Sequence, residues 1–109
     1  MAKRSETPKT YEASIVGESH YREAVKATAV GDYVDLVIEA GNPHAEGGTA
    51  LRVDNMDGDT VGYIASDSWL YRAIIEEGQG CLAQVEFKGG KPAGLRLKVQ
   101  LGHEALSKG

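Results

Sequence analysis

Sulphur and aromatic residues are scarce in this 109-residue chain, and each scarcity rules something out. A single cysteine, Cys81, excludes an internal disulfide and agrees with a reducing compartment. No apolar run approaches the roughly 20 residues needed to span a bilayer, and the start MAKRSETPKT lacks the apolar core of a secretory signal. A cytoplasmic protein with no membrane anchor is therefore expected. His20, His44, His103 and Cys81 show none of the close pairing that marks structural zinc sites, so no metal is expected. There is no Gly-x-Ser-x-Gly, and Cys81 opens a strand-like segment in which a small apolar filler is the natural role. KGGKPAG has two glycines and two lysines but lies between strand-like segments, not before a helix, so it reads as a hairpin turn and not as a phosphate cradle. With the acids spread over strand faces and turns, no catalytic constellation emerges. A non-catalytic protein without a cofactor is the expectation. No internal repeat or low-complexity segment is present.

Charge is plentiful but uneven. From Tyr11 to Phe87 there are 14 Asp and Glu against four Lys and Arg, whereas Lys88 to Lys98 carries Lys88, Lys91, Arg96 and Lys98 and no acid. Indifferent binding along a duplex draws its energy from several cations that neutralise phosphates. So acidic a body argues against coating DNA or RNA, and leaves room only for a local grip on a strand end.

With 41% hydrophobic residues, the chain suits one compact domain. Residues 1–10 read as a polar tail, 11–102 as the folded domain, and 103–109 as a second tail or single helical turn. Tyr11, Ala13 and Ile15 alternate with polar neighbours in a first strand, which Gly17 ends. A short helix or irregular turn follows from Tyr21. DYVDLVIEA then sets Tyr33, Asp35, Val37 and Glu39 on one face against Val34, Leu36 and Ile38 on the other, a strand with one buried side. TALRVDN and TVGYIAS flank Asp57-Gly58, the strongest hairpin signal in the chain. Asp67-Ser68 can cap a helix through WLYRAIIEEGQG, in which Leu70 and Ile74 share a face and Gly78 ends the run. CLAQVEF and LRLKVQL close the list of strands. About six strands and one clear helix, mostly in antiparallel hairpins, protect their edges most simply as a small barrel covered by the helix.

Polar and aromatic residues collect where these strands end: Ser19, His20, Tyr21 and Arg22 after the first strand, Asn42, Pro43, His44 and Glu46 before TALRV, and Tyr63 with Ser66 at the end of TVGYIAS. Asn-Pro bends the backbone and Gly47-Gly48 permits positive φ, so the middle segment is either a plain connection or a binding rim. If the three segments meet at one end of the barrel, their flat rings can stack on unpaired bases, each worth roughly 1–3 kcal/mol. Ordinary barrel-end packing is the competing reading.

Taken in order, Val16-Gly17, Tyr21-Arg22-Glu23, Gly31-Asp32, Asn42-Pro43, Ala50-Leu51-Arg52-Val53, Asp57-Gly58 and Val61-Gly62-Tyr63-Ile64 resemble the HIRAN domain over about residues 11–102. The resemblance implies a mainly β fold, a small six-stranded OB-like or SH3-like barrel with one or two short α-helices. HIRAN domains stand at the front of Swi/Snf-type DNA-dependent ATPases and also occur as free-standing bacterial and phage proteins. In a fork-remodelling helicase the domain holds the 3′ end of single-stranded DNA, stacking the last base between aromatics and reading its hydroxyl with an Asp. By that resemblance Asn42 and Pro43 match the family, His44 stands where a stacking Tyr is usual, and Glu46 takes the place of the Asp after a two-residue insertion. Ser19 and His20 fall at an Arg-Tyr pair that contacts DNA, with Arg22 nearby, and Ser66 replaces a basic residue. The implied function is capture of a 3′ single-stranded DNA end in DNA repair or processing. The alternative is a protein-interaction module of the same fold that docks onto a nuclease or helicase through a strand edge or the Lys88 to Lys98 hairpin.

Overall fold

Alternation of apolar and polar side chains makes six strands of this chain, and the computed structural model describes residues 10–43, 45–90 and 94–101, residue 46 in its backbone only. Residues 1–9 of the expected first tail, residues 102–109, His44 and the Lys91 to Ala93 part of the last hairpin loop lie outside the described residues. The strands are β1 (Tyr11–Ser14), β2 (Tyr33–Ala40), β3 (Thr49–Asp54), β4 (Thr60–Ile64), β5 (Cys81–Gly89) and β6 (Gly94–Leu101). All neighbours are antiparallel, in the order β1-β6-β5-β2-β3-β4. The sheet curls into a half-barrel, and the chain just beyond β1 meets β4 through one bridge. Val16 N–H donates to the Tyr63 carbonyl at 2.8 Å and Tyr63 N–H donates back to the Val16 carbonyl at 2.9 Å. This contact requires Gly62, because a Cβ there would overlap the Ile15 side chain and stand 2.7 Å from the Val16 carbonyl oxygen.

Inside the curl, Ile15, Leu51, Val53, Val61, Leu97 and Val99 come from alternate positions of their segments and are buried. Leu70, Tyr71, Ala73 and Ile74 cover this core. They belong to α2 (Trp69–Tyr71), which runs directly into a π turn over Arg72–Glu76, with Glu77 N–H donating to the Arg72 carbonyl at 3.0 Å. Ser68 caps the start, its Oγ accepting from Leu70 N–H at 3.2 Å. The single regular helix expected from the sequence is thus one α turn followed by a wider turn.

Of three further expectations, the short helix after Tyr21 and the Asp57-Gly58 turn are present and the burial of Ile38 is corrected. The helix after Tyr21 spans only α1 (Arg22–Lys26), because Thr28 Oγ1 donates to the Ala24 carbonyl at 2.7 Å and the chain turns there. The Asp57-Gly58 turn is shaped by Asn55, which is buried and whose Oδ1 accepts the N–H groups of Asp57 at 2.9 Å and Asp59 at 3.0 Å. Ile38, assigned by alternation to the buried face with Val34 and Leu36, is 52% exposed. β2 pairs with β5 only at Tyr33 and Val34, and from Asp35 onward β3 is its one strand neighbour, so nothing from β5 covers Ile38. Among the described residues no helix is long and apolar enough to cross a membrane.

Candidate functional site

The bridge at Val16 places the first rim segment against β4. Gly17, with φ +80°, turns the chain into a 3-10 helix over Glu18–His20, and Glu18 Oε2 accepts the Leu95 N–H of β6 at 3.0 Å. Tyr21 follows at once and brings its ring to 6.3 Å from that of Tyr63, tilted by 47°. Beside this pair lies a hollow of about 280 Å³, bounded by Tyr21, Tyr63, Asn42, Thr49, Ser66 and Tyr71. Tyr71 closes its base, donating its hydroxyl to the Thr49 carbonyl at 2.7 Å. The middle rim segment folds back on itself, for Asn42 N–H donates to the Gly48 carbonyl at 2.9 Å and Gly48 N–H to that of Ala45 at 2.9 Å.

Of the residues singled out from the sequence, Tyr21, Asn42, Tyr63 and Ser66 therefore share one hollow. Ser19, His20 and Arg22 lie on the other side of Tyr21, along an open groove of about 660 Å³ that also touches Asp59 and Thr60. His20 meets Tyr21 edge-on, with ring centres 6.4 Å apart. Pro43 is exposed beside Asn42 and bounds neither space. His44 and the side chain of Glu46 are outside the description.

The sequence reading missed the acid that organises this rim, Glu39. One oxygen, Oε1, accepts from the Tyr63 hydroxyl at 2.9 Å and from Asn42 Nδ2 at 2.9 Å, while Oε2 accepts from Arg52 Nη1 at 3.0 Å. Arg52 in turn grips Asp54 with two parallel bonds, Nε to Oδ1 at 2.9 Å and Nη2 to Oδ2 at 3.0 Å, and Thr60 Oγ1 donates to Asp54 Oδ1 at 3.0 Å. The Asn42 amide, then the Tyr63 hydroxyl and Arg52, hold the Glu39 carboxyl below the usual range against the opposing effect of burial. Burial first, then donation to Glu39 and the neighbouring Tyr21 hydroxyl, push the Tyr63 phenol well above its ordinary value. Arg52 is held still more firmly charged, chiefly by Asp54. The available signal was cross-strand: Glu39, Arg52 and Tyr63 occupy outward positions on three adjacent strands, with Arg52 directly opposite Tyr63.

The basic hairpin is partly consumed by structure. Lys88 Nζ donates to the carbonyls of Thr28 at 2.7 Å and Lys26 at 3.2 Å. Arg96 lies 4.9 Å over the Phe87 ring, 3.7 Å from Glu86. Cys81 is buried at the start of β5 and makes no cluster; among the described residues no group of three or more His, Cys, Asp and Glu is arranged to hold a metal ion.

No family model and no curated protein matches the chain. A crystal structure of a protein from Lactobacillus plantarum, a structural genomics target, is similar over 89% of this chain and 100% of its own, with a TM-score of 0.63 and 19% identity. At that identity the likeness establishes a shared fold and carries no ligand with it.

Proposed function

We propose that this chain is a HIRAN-like, non-catalytic cytoplasmic module that captures the 3′ end of single-stranded DNA in the rim hollow, in DNA repair or processing. The observation that carries the reading is the Tyr21 and Tyr63 pair at the edge of a 280 Å³ hollow that also holds Asn42 and Ser66. Aromatic faces give sequence-tolerant stacking, and a hollow of that size suits one terminal nucleotide better than a continuous strand. Preceding nucleotides run along the open groove, over His20 and Arg22. Because the acidic body supplies few cations, the grip rests on stacking and hydrogen bonds, and phosphate neutralisation adds little.

Fluorescence anisotropy with a 5′-labelled oligodeoxynucleotide tests this. A 3′-hydroxyl end binds, a 3′-phosphate end does not, and Tyr21→Ala or Tyr63→Ala weakens binding by roughly 1–3 kcal/mol. Equal binding of a circular oligonucleotide would defeat end capture. The second reading, docking onto a nuclease or helicase, draws on the uncovered Ile38 beside the divergence of β2 from β5. It predicts no oligonucleotide binding at ordinary salt and loss of a co-purifying partner in Ile38→Lys.

A further inference from the structure

We infer that the open edge of β2 takes up an extended peptide segment of a partner protein as an added antiparallel strand, with apolar side chains at alternate positions and an arginine at the end that enters the fork between β2 and β5. This rests on the docking reading and deepens it, and it is independent of strand-end capture. β5 pairs with β2 only at Tyr33 and Val34, whereas β3 follows β2 from Asp35 to Ala40. Val85 N–H donates to the Asp32 carbonyl at 2.8 Å, so residue 32 turns its carbonyl toward β5. Backbone groups alternate in direction along a strand, so Leu36, Ile38 and Ala40 turn theirs the same way, to a side where no described strand meets them. Sheet edges are usually blunted by lysine, proline or a bulge. The stretch from Leu36 to Ala40 has none of these.

The chemistry of the partner follows from what surrounds the edge. Ile38 is 52% exposed, and Leu36 borders a hollow of about 240 Å³ together with Cys81 and Leu82. In an antiparallel addition the residues opposite Leu36 and Ile38 project from the same face as they do, and apolar side chains there cover both. The next residue of the added strand lies opposite Asp35, on the face that carries the exposed Tyr33 ring. Asp35 is exposed, makes no ion pair among the described residues, and is the one charged side chain that lines the hollow. An arginine at that end meets an acid and an aromatic face together. β2 of a second copy would bring acids and no cation to the fork, so a basic peptide fits it better. Main-chain bonds along the edge supply affinity, and the alternate side chains supply specificity.

The probe is the peptide acetyl-Thr-Val-Thr-Val-Arg-amide, titrated into the isotopically labelled full chain and followed by backbone amide chemical shifts. Half-saturation below about 1 mM is expected, with the shifts gathered at Leu36 to Ala40 and at Cys81 and Leu82. In the proposed register the valines face Leu36 and Ile38 and bond their main chain, while the middle threonine turns its N–H away. N-methylation of the second valine should therefore abolish binding, and N-methylation of the middle threonine should leave it within about twofold. Replacing the arginine of the probe by glutamate should weaken binding by about three- to tenfold, and Asp35→Asn should bring the two peptides to within about twofold of each other. Absence of saturable shifts, shifts gathered away from this edge, or equal binding of the two methylated peptides overturns the strand addition. An arginine-to-glutamate ratio unchanged in Asp35→Asn overturns the role given to the cation. Should the probe fail while Ile38→Lys, with an unchanged melting temperature, still releases the co-purifying partner, docking stands without strand addition. Should Ile38→Lys release nothing as well, both fall.

Discussion

Closure of the curled sheet depends on one missing side chain, and Gly62→Ala tests that dependence. The new methyl would overlap the Ile15 side chain and come to 2.7 Å from the Val16 carbonyl oxygen, where backbone cannot yield cheaply. Relief requires the segment after β1 to move off β4, which stretches the two Val16 to Tyr63 hydrogen bonds of 2.8 and 2.9 Å. Overpacking of this kind costs about 1–3 kcal/mol, and two weakened backbone bonds add about 1–2 kcal/mol more. The sum, about 2–5 kcal/mol, is a large share of the stability of a small domain and corresponds to a fall in melting temperature of about 10 °C or more. Thermal and urea unfolding followed by circular dichroism measures it. Ile15→Ala, which removes the overlapping group, leaves a cavity of its own, but part of that space is where the Gly62→Ala methyl would go. The double variant is therefore expected to be more stable than the sum of the two changes implies, by about 0.5 kcal/mol or more. A Gly62→Ala protein within about 0.5 kcal/mol of wild type, or strict additivity with Ile15→Ala, would falsify the steric account of closure. Because Val16 and Tyr63 both border the hollow, the proposed oligonucleotide binding should weaken together with the closure.

Arg52→Ala leaves Glu39 and Asp54 facing each other without their cation and should cost about 1–3 kcal/mol in urea unfolding, the side chain being 28% exposed; a loss below about 0.3 kcal/mol counts against the network. The folded Glu39 carboxyl titrates below its ordinary value near 4.5, so its contribution to stability is complete above that value and is lost as pH falls through the lower folded one. Unfolding measured from pH 6 down to pH 3 should show this slope in wild type, and Glu39→Gln should lack it. Burial pushes the Cys81 thiol up to about 11, so a thiol reagent at neutral pH should label it only in denaturant; rapid labelling of the native protein would contradict the burial. Oligonucleotide affinity should change by less than about tenfold between about 50 and 200 mM salt, since among the described residues Arg22 is the one Lys or Arg that lines the groove; a steeper slope would assign binding to phosphate contacts elsewhere.

Strand content was readable because each strand solves a local problem. Leu51 and Val53, or Leu97 and Val99, point the same way whenever the backbone is extended, and their burial needs no knowledge of the rest of the chain. Asp67-Ser68 announced a helix start for the same reason, since the cap lies within two residues of the N–H it satisfies. Ile38 shows where this logic stops. Its direction follows from its own strand, but its exposure depends on β5 parting from β2, which nothing near Ile38 encodes. The rim divides in the same way. Tyr21, Asn42, Tyr63 and Ser66 stood out as polar or aromatic residues at strand ends, whereas Glu39 looked like one more solvent-facing acid.

Six alternating strands, a capped helix, an acidic body and a set of aromatic and polar residues at the strand ends all follow from local sequence, because periodicity, capping and charge act over a few residues. Three features come from the folded sheet alone: β4 closes against Val16, Tyr21 divides a hollow from a groove, and Glu39 ties Tyr63, Asn42 and Arg52 together. Apart from the local Asn42 to Glu39 bond, the hydrogen bonds behind those outcomes join residues 13, 24 or 47 positions apart, and curling of the sheet is what makes such residues neighbours.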